Sequence, residues 1–160
     1  MHAGPRYVAV IGASAATPDQ EQAAEEVGRG LAEAGAIVIT GGGPGVMAAA
    51  SRGADRAGGV VIGYLPGEDR RRANQWVGIA LPTGLGELRN GLIVRAADVA
   101  VAVGGAYGTL SEIALALVAG KPVVGLDTWA IQGVEAAGSP AAAVARALEL
   151  AAASDVGRPI

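Results

Sequence analysis

A glycine-rich turn carries the residues best suited to chemistry. It follows the apolar run Val99–Val103 and leads into an apolar-periodic helix that opens with Thr109 and Glu112. Because glycine lacks a Cβ atom, the backbone of such a turn can approach a ligand closely. The helix start behind it supplies unpaired N–H groups and the positive end of the helix dipole, which predicts an anion site. The candidate contacts in the turn are Gly104, Gly105, Tyr107 and Gly108.

A second glycine-rich turn follows another apolar run, residues 36–40. It reads Gly-Gly-Gly-Pro-Gly-Val-Met over residues 41–47. Two such strand-to-helix turns in one chain indicate a phosphorylated small-molecule ligand. The candidate contacts here are Gly42, Gly43, Gly45 and Met47, of which Met47 has core packing as an alternative role.

Three further candidates lie at the ends of other predicted strands. They are Gly12, Ser14 and Thr83. The carboxyl ends of parallel strands share one edge of a sheet, so these residues could face the same cleft. Capping of a turn or a helix is the alternative role for Ser14 and Thr83.

The composition bounds the fold. The 160 residues suffice for one nucleotide-binding domain, which we predict over residues 1–160 with its core at 6–153. The chain is 51% apolar but has no Phe, so the core must consist of Val, Ile, Leu and Ala. Without Cys and with a single histidine, His2, the chain offers no disulfide, Cys nucleophile or His triad, and we expect no metal site.

The charge pattern bounds the partners. Twelve basic and 15 acidic residues give a net charge of −3. No basic stripe runs along a predicted helix, which argues against a general nucleic-acid binder. The chain shows no signal-peptide apolar region and no run of about 18 uncharged apolar residues. We therefore expect a cytoplasmic protein with no membrane partner.

Strand-like and helix-like runs alternate along the chain. Thr17 and Gln20 form a capping-box pattern around Pro18, which predicts where the first helix starts. The alternation predicts an α/β fold, a single-domain Rossmann-like parallel sheet with helices on both faces. The predicted strands are 7–12, 36–40, 60–65, 77–81, 99–103 and 122–126. The predicted helices are 18–34, 44–57, 85–97, 109–119 and 140–154, with a loop or short helix at 66–76 over the site and a loop at 128–138.

Other nucleotide-binding motifs match poorly. A dinucleotide fingerprint should follow the first strand, where the chain reads Gly-Ala-Ser-Ala-Ala over residues 12–16. A weaker match, Gly43-x-Gly45-x-x-Ala48 followed by Glu68 or Asp69, leaves NAD as a minor alternative. The P-loop pattern for ATP hydrolysis does not occur.

The paired turns resemble those of the Lonely Guy superfamily. This superfamily is often described as lysine decarboxylase-like, although its characterised members are cytokinin nucleotide phosphoribohydrolases. Its signatures are a GGGxxGLM-type turn and a PGGxGTxxE turn, and residues 41–47 and 104–112 match them in this order. The resemblance covers residues 6–127 and implies a Rossmann-like fold with a nucleoside 5′-monophosphate site.

The resemblance also implies roles for single residues. Gly104, Gly105, Gly108 and Thr109 match the turn that holds phosphate. Glu112 and Arg89 match the pair that acts on the N-glycosidic bond in the hydrolases. The implied reaction releases the base and ribose 5-phosphate and requires no cofactor.

Two positions depart from the hydrolase pattern. The hydrolases carry Lys where this chain has Asn90, and Pro where it has Val103. At these two positions the chain is more similar to the branch that includes the molybdenum cofactor carrier proteins of algae. That branch implies the alternative of a non-catalytic carrier or sensor for molybdenum cofactor or a related phosphorylated pterin. The family also implies a homodimer or larger homo-oligomer.

Arg89 and Glu112 have structural readings as well. Thr109-x-x-Glu112 matches a capping box, which would account for both residues at a helix start. Arg89 neighbours Leu85 and Leu92 on a face predicted to be buried, so its charge calls for an anionic partner, or its head reaches solvent.

Overall fold

Seven strands form one parallel sheet in this computed structural model, which describes residues 4–154. They are β1 (Tyr7–Gly12), β2 (Ile37–Thr40), β3 (Val61–Leu65), β4 (Ile79–Pro82), β5 (Val99–Val103), β6 (Val123–Leu126) and β7 (Val134–Ala136). Their order across the sheet is β4-β3-β2-β1-β5-β6-β7. His2 and residues 155–160, part of the predicted domain, lie outside the described residues.

Five α-helices cover the two faces of the sheet. They are α1 (Pro18–Glu33), α2 (Val46–Arg56), α3 (Asn90–Ala96), α4 (Tyr107–Val118) and α5 (Pro140–Ser154). α1, α2 and α5 share one apolar core with the sheet, while α3 and α4 share the other. The predicted Rossmann-like parallel sheet with helices on both faces is confirmed.

The central strand β5 shows why the two faces differ. All five of its residues are buried, and successive side chains point to opposite faces. Val99, Val101 and Val103 pack into the core under α1, α2 and α5, whereas Ala100 and Ala102 pack under α3 and α4. The small alanine side chains leave room for α4 to lie close to the sheet.

The capping box predicted at the start of α1 is confirmed. The Thr17 hydroxyl accepts a hydrogen bond from the Gln20 amide at 3.2 Å, and the Gln20 side-chain oxygen accepts one from the Thr17 amide at 3.1 Å. Pro18 occupies the first helical position, where its missing N–H costs nothing.

Two predicted elements were wrong. The loop predicted at 128–138 contains β7, whose three residues are too few to show alternation. The helix predicted over 85–97 begins with a 3₁₀ turn, Gly86–Arg89, before α3. Leu85, Leu88 and Leu92, predicted to point inward, are exposed, and Leu88 is 78% exposed.

The contact between α1 and α2 depends on a glycine. A Cβ atom at Gly28 would stand 2.0 Å from the carbonyl oxygen of Ala50, well inside contact distance. This close approach brings α2 and the turn before it against β1 and α1.

We expect Gly28→Ala to lower the free energy of unfolding by at least about 1–3 kcal/mol, because two backbones must move apart. Urea unfolding of the purified variant would measure it. Gly91→Ala is the matched control, since a Cβ there meets only Leu115 Cδ1 at 4.0 Å. Equal losses of stability in the two variants would contradict the packing argument.

Candidate functional site

The order of the strands reverses between β1 and β5, and a cleft opens there. The chain leaves β1 toward β2 on one side and leaves β5 toward β6 on the other. Ligands of open α/β sheets bind at such a point, beside the carboxyl ends of the strands. Here the cleft contains two connected cavities, which we name the α4 chamber and the β3 chamber.

The α4 chamber has a volume of about 310 Å³ and lies between the turn after β1 and the first turns of α4. Its lining residues are Gly12, Ala13, Ser14, Ala15, Met47, Arg89, Asn90, Ala106, Gly108, Thr109 and Glu112. Met47 of the second glycine turn, Gly108 and Thr109 of the first, and Arg89 of the 3₁₀ turn therefore meet in one cavity.

The β3 chamber is larger, about 610 Å³, and extends the cleft past the end of β3. Three residues, Ser14, Met47 and Arg89, line both chambers. The others are Gly41, Gly43, Pro44, Leu65, Pro66, Gly67, Glu68, Asp69 and Arg72. Part of the segment predicted to lie over the site, residues 66–76, thus forms a wall of this chamber.

The N-terminus of α4 is open toward the α4 chamber. Its N-cap is Ala106, which has no side chain able to accept a hydrogen bond from the first turn. The positive φ values of Gly104 and Gly105, 55° and 131°, let the chain turn from β5 into the helix. The first N–H groups of a helix have no partner within it, so those of α4 are free for an anion.

The Thr109 side chain is buried without a partner. The residue is 2% exposed, and its Oγ1 makes no hydrogen bond to any described residue. Leaving a buried hydroxyl unpaired costs about 1–3 kcal/mol. An acceptor or donor in the α4 chamber, which Thr109 lines, would remove that cost.

The structure does not contain the capping box that was the alternative role for Thr109 and Glu112, because the N-cap of α4 is Ala106. The helix starts at Tyr107, two residues earlier than predicted, so Thr109 lies inside the first turn instead of capping it. The glycine turn causes this shift, because its backbone can enter the helix without a side-chain cap. Thr109 and Glu112 therefore face the cavity together.

The Glu112 carboxyl is buried in the same wall. The residue is 7% exposed, and its carboxyl makes no hydrogen bond within the part of the chain that the structure describes. Burial raises the pKa of Glu112 from 4.5 to about 7, and the positive charge of Arg89 opposes the rise. Near neutral pH this carboxyl is therefore divided between its protonated and ionised forms.

The Arg89 guanidinium lies between the two chambers and is held on several sides. Its Nε donates to the Tyr64 carbonyl at 2.8 Å and its Nη2 to the Gly41 carbonyl at 3.4 Å. Burial lowers the pKa of Arg89 from its ordinary value, while Glu112 raises it. Arginine remains charged throughout the accessible pH range, so the cleft holds a fixed positive charge.

Asn90 is a site residue that the sequence reasoning missed. Its side-chain oxygen accepts a hydrogen bond from Arg89 Nη1, and its Nδ2 donates to Ser111 Oγ at 3.1 Å. Asn90 thereby ties the guanidinium to α4. The sequence pointed to Asn90 only through its position, because it follows Arg89 and the hydrolases carry Lys there.

Several predicted residues shape the turns without lining either chamber. The Gly42 amide donates to Thr40 Oγ1 at 3.1 Å, and the Gly42 carbonyl accepts from the Asn74 amide at 2.8 Å. Gly45, at φ 68°, is the N-cap of α2, and a Cβ there would stand 2.3 Å from the Ala13 carbonyl oxygen. Both positions hold the second glycine turn against the turn after β1.

Thr83 and three residues of the first glycine turn also lie outside the two linings. The Thr83 hydroxyl donates to the Leu65 carbonyl at 2.7 Å, which fixes the turn after β4. Gly104 and Gly105 line a shallow cavity beside Trp129 instead. Tyr107 is 81% exposed and stacks on Trp129, with ring centroids 6.1 Å apart.

Within residues 4–154, no group of three or more His, Cys, Asp or Glu side chains is placed so that it could hold a metal ion. Over the same stretch, no helix combines the length and the apolar character needed to cross a bilayer.

The fold and the site define a Rossmann-like α/β domain with a helix N-terminus and an arginine side chain at the switch in strand order. Residues 5–154 match the model of the SLOG cluster4 family, and the chain belongs to that family. Together with the solved structures described next, this match confirms the resemblance to the Lonely Guy superfamily and to its molybdenum cofactor carrier branch.

Two solved structures are similar over nearly the whole chain. The molybdenum cofactor binding protein of the phototrophic bacterium Rippkaea orientalis is 35% identical, with a TM-score of 0.87, over 92% of this chain and 98% of that one. The molybdenum cofactor carrier protein of Chlamydomonas reinhardtii is 36% identical, with a TM-score of 0.86, over 93% and 99%. An uncharacterised protein of Archaeoglobus fulgidus is 39% identical over 86% of this chain and 91% of its own length.

The raised pKa of Glu112 makes stability depend on pH. Between pH 4.5 and 7 the folded chain binds the Glu112 proton more tightly than the unfolded chain, so stability falls as pH rises through that window. The contribution amounts to roughly 3 kcal/mol. We expect Glu112→Gln to abolish this part of the decline, as measured by urea unfolding at pH 5, 6, 7 and 8. A decline of equal size in the variant would contradict the assignment.

Proposed function

We propose that this chain is a non-catalytic carrier of a phosphorylated pterin of the molybdenum cofactor type. Two solved structures that are 35% and 36% identical to this chain support the proposal, because one is a binding protein and the other a carrier protein for that cofactor. The observation that carries the proposal is the buried, unpartnered Thr109 hydroxyl beside the open N-terminus of α4.

The α4 chamber would hold the phosphate. Its free helical N–H groups and the Thr109 hydroxyl are donors, and Arg89 supplies a positive charge. Phosphate oxygens accept several hydrogen bonds at once, so one group could satisfy all of these donors. The small volume of this chamber, about 310 Å³, suits a phosphate and the carbon that bears it.

The β3 chamber would hold the ring system. Met47, Leu65 and Pro66 give it apolar walls on which a flat ring can pack. Glu68 and Asp69 place carboxylates at the same chamber, where they could accept hydrogen bonds from ring N–H groups. Arg89 lies where the phosphate-bearing arm would join the ring.

Hydrolysis of a nucleoside 5′-monophosphate is a second candidate, favoured by one observation. Arg89 and Glu112 line the same chamber, as the hydrolase pattern requires. Against it, the Arg89 side chain is already bound by Tyr64, Gly41 and Asn90. In a carrier, these contacts would hold the guanidinium rigidly in place for ligand binding.

We propose a homo-oligomer whose contact is the outer face of α3 and α4. On α4 this face consists of Ser111, Ala114, Leu115 and Val118, and it bears no charge. Leu88 and Leu92 extend it from the neighbouring segment, and Val118 is 81% exposed. An apolar face of this kind, whose exposed charge on α3 is Arg95, pairs best with an identical face on a second copy.

Removal of the Thr109 hydroxyl tests the phosphate site. We expect Thr109→Val to weaken binding of neopterin monophosphate roughly ten- to hundredfold, because a hydrogen bond to a charged group contributes about 1.5–3 kcal/mol. Fluorescence titration of the pterin measures it. Thr109→Ser should restore the affinity, and unphosphorylated neopterin should bind weakly to all forms. Equal affinities for the two pterins would refute a phosphate site here.

Incubation of the wild-type protein with AMP distinguishes the two candidate functions. We expect no release of adenine above the rate of a protein-free control, as followed by chromatography. Adenine release that disappears in Glu112→Gln would overturn the carrier proposal in favour of the hydrolase.

Charges placed on the outer face of α4 test the assembly. We expect the double substitution Leu115→Lys and Val118→Lys to convert an oligomer to a monomer, measured by light scattering during size-exclusion chromatography. Val60→Lys is the control, since Val60 is an exposed apolar residue away from this face. A monomeric wild-type chain would contradict the proposed contact.

A further inference from the structure

We propose that Glu112 binds the ligand's anion as a neutral carboxylic acid, so that an anion entering the α4 chamber while Glu112 is ionised brings one proton into the protein. This inference rests on the proposed phosphate site and assigns Glu112 a role in binding instead of catalysis.

The charges around Glu112 are few. Arg89, on the 3₁₀ turn, is the charged group that faces it, and α3 adds the uncharged amide of Asn90. β5 and β6 carry no titratable side chain, and β1 carries only Tyr7, at its amino end on the opposite edge of the sheet. Lys121 is also at that opposite edge, where its Nζ donates to the Ala97 carbonyl. Exposed Arg95 lies on the last turn of α3.

An ionised Glu112 and a bound dianion would therefore share a single positive charge. Both would lie in one cavity of about 310 Å³, at a wall where Glu112 is buried and only 7% exposed. Like charges at such close range repel strongly, because little water remains to screen them. Arg89 cannot offset three negative charges, and its head is committed to the carbonyls of Tyr64 and Gly41.

Protonation resolves this conflict at small cost. Burial already holds the pKa of Glu112 at about 7, so the carboxyl takes up a proton readily at neutral pH. A protonated carboxyl is also a donor, which an ionised one is not. It then points an O–H into the chamber beside the Thr109 hydroxyl and the N–H groups of α4.

Sulfate is the probe that isolates the protein's own proton. It remains a dianion from pH 5.5 to 9, whereas a phosphate monoester loses its second proton near pH 6 and would obscure the result. Titration calorimetry in two buffers that differ in ionisation enthalpy gives the number of protons taken up per sulfate bound.

For the wild-type chain we expect uptake of about 0.1 proton at pH 6, about 0.5 at pH 7 and about 0.9 at pH 8. The affinity for sulfate should fall about tenfold for each pH unit above 7. In Glu112→Gln, whose amide mimics the neutral acid, we expect no uptake and an affinity at pH 8 close to that of the wild type at pH 6. Glu87→Gln is the matched control, since Glu87 is exposed on the same 3₁₀ turn outside both chambers, and it should behave as the wild type.

Sulfate binding at pH 8 without proton uptake would overturn the inference, as would uptake that persists in Glu112→Gln. Should sulfate bind too weakly to measure, neopterin monophosphate at pH 8.5 replaces it, because its phosphate is then fully ionised. Binding of that pterin without uptake refutes the proton-coupled role of Glu112 and leaves the carrier proposal standing. Failure of both anions to bind refutes the phosphate site itself and the inference with it.

Discussion

The pairing of β1 with β5 is the constraint on which the site depends. These strands are neighbours in the sheet over five residue pairs, although the 86 residues from 13 to 98 lie between them in the chain. Because the chain leaves the two strands toward opposite edges, their connections diverge and leave a cleft between them. The turn after β1, the N-terminus of α4 and the Arg89 side chain all reach that cleft from different elements.

Close packing makes the cleft narrow. Glycines at the contacts bring backbones together, as at Gly45 against the turn after β1, and alanines on β5 let α4 approach the sheet. The consequence is a small chamber with three side chains in unfavourable positions for an unliganded protein: an unpartnered hydroxyl, a buried carboxyl and a half-buried guanidinium. Under the proposed function these donors would already be oriented for an anion, so that little reorganisation would oppose binding.

Asn90 explains how the same scaffold can hold a ligand without the hydrolase arrangement. A lysine at this position would bring a second positive charge to the cleft. Asn90 instead joins Arg89 to Ser111 on α4 through neutral hydrogen bonds. One fixed cation then faces Glu112, and the protonation state of that carboxyl decides how negative the chamber is.

The sequence by itself determined the features that are encoded locally. Alternating apolar runs predicted the parallel sheet, Thr17 and Gln20 predicted the start of α1, and the two glycine turns with Arg89 indicated the family. Only the tertiary structure decided which of these residues meet. It showed that Gly104, Gly105 and Tyr107 line neither chamber, that Thr109 and Glu112 line the α4 chamber instead of capping a helix, and that Asn90 belongs to the site. The physical reason is that periodicity and turn residues report on a few neighbouring positions, whereas strand order and the meeting of side chains depend on contacts between distant parts of the chain.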